Sequence, residues 1–156
     1  MKSIRDIYKI GTGPSSSHTM GPARAAVIFR GEHSEADKFQ AILYGSLSKT
    51  GRGHGTDRAI REALAPVAAE VIFSEREPED IKHPNTMDLI ALRGGEELGR
   101  IRVHSIGGGD IVIEGEPADE NADVYPEGSF AEITQFCRWR YITLPEYVEL
   151  NEGPEI

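Results

Sequence analysis

MDLIALRGGEELGRIRVHSI, residues 87–106, decides the fold. On either side of Gly94–Gly95 lie two runs, MDLIALR (87–93) and ELGRIRVHSI (97–106), rich in the apolar and β-branched residues of strands. Two consecutive glycines between such runs are the signal of a tight hairpin turn, because they accept the positive φ angles that the turn demands. A triple glycine, 107–109, interrupts the second run before DIVIEGE resumes as strand.

Outward from the hairpin, FQAILYGSL (39–47) reads as another strand, with Phe39, Ala41, Leu43, Gly45 and Leu47 alternating against Gln40, Ile42 and Tyr44. VAAEVIFSE (67–75) fits helix or strand, and EREPEDIKHPN (75–85) reads as an exposed connection. Pro22 suits the first turn of a helix; Ala23, Ala26, Val27 and Arg30 follow at helical spacing, and Gly31 can end the run. SKTGRGHGTD (48–57) reads as a glycine-rich loop, after which Thr56 and Asp57 cap the helix DRAIREALA, stopped by Pro66. IRDIYKI (4–10) is a short amphipathic lead-in, and the acidic 115–128 is expected as loop. SFAEITQFCRWRYITLPEYVEL reads as a helix, a break near Pro145 and a second short helix. The class expected is α+β: a largely antiparallel sheet with flanking helices in a single domain.

The 156 residues are 38% hydrophobic and 28% charged, which fits a soluble globular chain with a sizeable core. A net charge of −9, with Lys and Arg scattered singly, argues against nucleic acid as partner. No run of eighteen apolar residues indicates a membrane span, and MKSIRDIYKI lacks the apolar stretch of a signal peptide. The compartment expected is the cytoplasm. The acidic surplus at 114–127 and 146–155 reads as solvated surface. A single cysteine, Cys137, allows neither an internal disulfide nor a cluster site of three or four thiolates.

Four polar, glycine-bearing loops carry the chemistry. In GTGPSSSHTMGPARAA (11–26), Ser15, Ser16, Ser17 and Thr19 surround His18 ahead of a helix start, where unpaired N–H groups and a partial positive charge attract anions. An elaborate helix cap is the plainer reading. GRGHGTD (51–57) sets His54 between two glycines, where it can serve as general base or be an incidental loop histidine. HPNTMD (83–88) offers the amide of Asn85 for recognition, or is an ordinary turn. In HSIGGGD (104–110), Gly107, Gly108 and Gly109 can form an anion-binding concavity, or a glycine bulge in a hairpin. No H-x-x-x-H or H-E-x-x-H metal motif, phosphate-loop motif or G-x-S-x-G elbow occurs.

Taken in order, GTGPSSSHTMGPARAA, LYGSLSKTGRGHGTDRAI, HPNTMDL and HSIGGGDI resemble the β domain of the iron–sulfur L-serine dehydratases, or L-serine ammonia-lyases. The resemblance covers nearly the whole chain, with 1–130 as the β-type domain. FCRWRYITLPEYVELNEG, within 131–156, resembles the segment leading toward the catalytic α domain. The family's reaction converts L-serine to pyruvate and ammonia with a [4Fe-4S] cluster and no pyridoxal phosphate. The resemblance implies that an iron lacking a cysteine ligand draws on the serine hydroxyl while a base removes the Cα proton. It implies catalytic roles for His18 and His54, and substrate binding by Ser15, Ser16, Ser17, Thr19, Asn85 and Gly107–Gly109. The cluster's cysteines belong to the α part, so this chain is expected to hold no metal, to require a cysteine-bearing α domain or subunit, and to be inactive alone. Homo-oligomers are a further expectation. The β domain is also similar to a small-molecule-binding domain of some phosphoglycerate dehydrogenases. A serine- or anion-binding regulatory module, or a scaffold for assembly, is therefore the alternative.

Overall fold

The computed structural model describes residues 3–7, 10–11, 13–76, 78–117 and 123–154. The hairpin forms as expected: β3 (Thr86–Arg93) and β4 (Glu96–Gly107) pair antiparallel around Gly94 and Gly95, both at positive φ. β5 (Asp110–Ile113) returns along β4 through Gly108–Gly109, also both at positive φ. β1 (Lys38–Leu43) lies antiparallel to β3, and β2 (Ala68–Phe73) lies parallel to β1. The order is β2-β1-β3-β4-β5, a mixed sheet whose pairings are antiparallel in all but one case. The α+β reading holds, and 67–75 resolves as strand. Glu77 lies outside the described residues.

β3 explains why a strict alternation is hard to see in its sequence. Residues 86–91 are buried on both faces, so Thr86 and Asp88 sit as deep as Met87, Leu89 and Ala91. One face of the sheet, through Phe39, Ala41, Leu43, Met87, Leu89, Ala91 and Val103, forms the core with Ala25, Ala26, Phe29, Leu47, Ile60 and Leu64 of the helices. β1 alternates regularly, its odd-numbered residues inward.

α1 spans Met20–Glu32, one residue beyond Gly31. Its buried stripe is Gly21, Pro22, Ala25, Ala26 and Phe29, whereas Val27 is half exposed. Small residues on that stripe let the helix axis lie close to the sheet. The expected loop at 48–57 is overturned: α2 runs Gly45–His54, and the strand ends at Leu43 rather than Leu47. Leu47 and Gly51 are buried, and packing of that face outweighs three unfavourable helical glycines. Gly55 ends α2 in the left-handed conformation and stands at the N-cap of α3 (Thr56–Leu64), so Thr56 and Asp57 are not its caps. Helix α3 ends before Pro66, as expected.

Two compact units emerge, Ile10–Ala118 and a second made of Met1–Lys9 with Asp119–Ile156. In the second, Ile4–Ile7 form a single 3-10 turn, and Tyr8 and Lys9 of the expected lead-in lie outside the described residues. So do residues 118–122 of the expected acidic loop. α4 (Phe130–Arg140) is capped by Ser129, and α5 (Leu144–Glu152) by a reciprocal Thr143–Glu146 capping box. The break falls at Tyr141, in the left-handed region at φ 55°, and Pro145 instead opens the second helix, where a missing N–H costs nothing. Tyr125, Ile133 and Tyr147 make a small core with Ile4, Phe136 and half-buried Cys137. Among the described residues no helix is long and apolar enough to cross a membrane.

Candidate functional site

Residues 16–19 form a tight turn before α1. The amides of His18 and Thr19 both bond the Ser15 carbonyl, and the amide of Gly21 bonds the Ser16 carbonyl. The Thr19 hydroxyl donates to Ser15 O at 2.7 Å and caps no amide. The amides of His18, Thr19 and Gly21 are thus spent within the turn.

His18 is at the centre of a group of polar side chains. Its Nδ1 lies 3.1 Å from both Ser15 Oγ and Ser17 Oγ, and its Nε2 lies 3.2 Å from Ser46 Oγ and 3.0 Å from Thr50 Oγ1. The His54 ring stands 4.5 Å away, centroid to centroid, tilted by 34°. His54 Nδ1 donates to the Thr50 carbonyl at 2.9 Å. Burial pushes the His18 pKa below its ordinary value of 6.5, the positive charge of a protonated His54 lowers it further, and a bond with the Ser46 backbone opposes both.

The remaining loops join this centre through the start of α2. Gly45, at φ +51°, lets the chain turn so that Ser46 N donates to Pro84 O at 2.7 Å. Tyr44 N bonds Thr86 O at 3.0 Å, which fixes the same loop one residue pair further on. Asn85 Nδ2 then donates to Ser105 O at 3.3 Å, while Ser105 N donates to Asn85 O at 2.9 Å. The Asn85 Oδ1 acceptor and the Ser105 hydroxyl are buried with no partner. Buried polar atoms without partners are costly and point to a missing ligand or water.

All four loops therefore gather at one end of the sheet. His18, His54, Ser15 and Ser17 come into one contact cluster, and Asn85 is tied to it through Pro84 and Ser46. Ser16 and Thr19 serve the turn itself. Gly107, Gly108 and Gly109 lie at positive φ in the β4–β5 hairpin, beside its register shift between Ser105 and Gly107. Ser46 and Thr50 are the residues that the sequence reading missed. Both face His18 because 45–54 is helix, and in a helix residues four apart share a face.

The profile described as the serine dehydratase beta chain matches residues 3–82. The chain belongs to that family. Among relatives, the L-serine dehydratase TdcG of Escherichia coli (strain K12) is 33% identical over 97% of this chain and 43% of its own length. The L-serine dehydratase of Haemophilus influenzae is 31% identical over the same shares, and that of Mycobacterium bovis 32% over 96% and 42%. The chain thus spans less than half the length of these members of the serine dehydratase beta chain family. Its donors do not fit a four-iron cluster: one thiol stands alone, and among the described residues no three His, Cys, Asp or Glu side chains gather to hold a metal ion.

Proposed function

We propose that this chain is the β half of an L-serine dehydratase, acting in the cytoplasm to deaminate L-serine to pyruvate and ammonia with an α domain or subunit. The observation that carries this reading is the His18–His54 pair, 4.5 Å apart and surrounded by four hydroxyls, in a chain of the serine dehydratase beta chain family. The [4Fe-4S] cluster is assigned to the α part, and no ligand for it is taken from residues 1–156. Residues 131–156 are read as the segment leading toward that part.

What this chain supplies is polar recognition and a place for a proton. A serine molecule brings a carboxylate, an ammonium and a hydroxyl, and side-chain hydroxyls can donate to the first and third and accept from the second. His18, held neutral near pH 7 by burial, can accept a proton without first losing one. Removal of the Cα proton is the step that needs such a base. Asn85, whose Oδ1 is a buried acceptor with no partner, is read as a further substrate contact.

The test is anaerobic co-expression with a cysteine-bearing α partner, followed by pyruvate formation from L-serine. Turnover is expected from the pair and none from this chain alone. His18→Ala and His54→Ala are each expected to lower kcat by about 100-fold or more. Full turnover by both variants would overturn the assignment.

A further inference from the structure

We propose that Thr50 is a positioning residue that holds His18 and His54 in opposite neutral tautomers. The Thr50 hydroxyl carries one hydrogen, and it is donated to the Ser46 carbonyl at 2.9 Å, one helical turn back. Toward His18 Nε2, 3.0 Å away, the same oxygen is therefore an acceptor, and Nε2 carries the proton, with Ser46 Oγ at 3.2 Å as a second, longer acceptor of it. Nδ1 of His18 is then bare and receives a hydroxyl hydrogen from Ser15 or Ser17, both at 3.1 Å.

The carbonyl of the same residue fixes the other ring. A carbonyl only accepts, so His54 Nδ1, 2.9 Å from Thr50 O, must be the protonated nitrogen. His54 Nε2 is left as its basic atom. One threonine thus writes Nε2–H on His18 through its side chain and Nδ1–H on His54 through its backbone. Two imidazoles 4.5 Å apart then present different atoms as bases, Nδ1 of one and Nε2 of the other. The consequence for catalysis rests on the function proposed above, whereas the tautomers themselves do not.

The experiment is long-range proton–nitrogen NMR on the 15N-labelled 156-residue chain at pH 7.5, which separates the two ring nitrogens of each histidine. The expected result is Nε2–H for His18 and Nδ1–H for His54. Thr50→Val keeps the shape and the carbonyl but removes the hydroxyl. It is expected to raise the share of the other His18 tautomer about fivefold, the ratio that one net hydrogen bond sets, and to leave His54 unchanged. Thr50→Ser is expected to restore the original pattern. Nδ1–H on His18 in the unaltered chain, or a folded Thr50→Val chain with His18 unchanged, would overturn the proposal. Loss or survival of serine turnover in His18→Ala bears on the catalytic reading alone.

Discussion

A β-carbon on Gly21 would come within 2.1 Å of the Ser105 hydroxyl oxygen and 3.0 Å of its β-carbon. The first turn of α1 and the end of β4 are thus held as close as glycine permits. Gly21→Ala is expected to cost roughly 1–3 kcal/mol, the range for overpacking a filled interior. The measurement is chemical denaturation. Ser105→Ala in the same chain should recover part of the loss, since it removes the nearer of the two contacts.

Gly45 is expected to tolerate substitution less well than Gly21. It sits at φ +51°, and a β-carbon there would meet the Pro84 carbonyl oxygen at 2.4 Å. Backbone strain adds about 1 kcal/mol or more to the overpacking cost, and a backbone oxygen cannot swing aside as a serine hydroxyl can. Gly45→Ala should therefore lower the urea midpoint more than Gly21→Ala. It should also break the Ser46–Pro84 bond that aims α2 at His18.

Asp88 is buried in β3, where it accepts from Tyr44 Oη at 3.1 Å and from Arg102 Nε and a terminal guanidinium nitrogen at 2.7 and 3.1 Å. These bonds raise the pKa of the Arg102 guanidinium above its usual value. Asp88→Ala removes the buried partner and leaves the guanidinium its surface partner Asp80 at 2.8 Å, while the Tyr44 hydroxyl loses its acceptor, a loss of about 1–3 kcal/mol. Tyr44 directly precedes α2, so the histidine pair should lose order as well, seen as broadened His18 ring signals.

Stability should fall in mildly acidic solution. Burial holds both His18 and His104 below 6.5, so as pH drops through that value the unfolded chain takes up protons that the folded chain refuses. The stabilisation is complete above about pH 7 and lost progressively as pH descends from 6.5 toward the folded values. Glu70, Glu97, Glu146 and Glu152 are held below 4.5, so their contribution is lost in a separate, lower window. Urea midpoints at pH 8, 7, 6 and 5.5 would show the first decline, and His18→Gln should flatten part of it.

The hairpins were legible because two glycines between strand-like runs have few other readings, and Gly94–Gly95 obeyed that rule. The helix α2 was not legible. GSLSKTGRGH contains three glycines and reads as a loop by propensity; its helix is held by Leu47 in the core and by Gly51 against Phe73 and Thr56. That one misreading hid Ser46 and Thr50, which meet His18 only when 45–54 is coiled. The pairing of His18 with His54 was legible as two polar loops but not as a contact, because 36 positions of chain separate them. The glycines at 107–109 form a turn at positive φ, a conformation that a hairpin bulge and a ligand-facing loop both select, so the residue type alone does not separate the two purposes.

The sheet order has a consequence for synthesis of the chain. Lys38 of β1 pairs with Leu92 of β3, and Ser105 meets Asn85 and Gly21 from segments far apart in sequence. His18 and His54 leave the ribosome early, yet the loop that braces Ser46 against Pro84 is made later, and the strand that braces Asn85 later still. A nascent chain ending before Thr86 holds both histidines but gives β1 only its parallel edge partner, β2. The pair's own contacts are complete by residue 54, whereas the backbone bonds that brace its loops, Ser46 to Pro84 and Ser105 to Asn85, are complete only once Ser105 has been made.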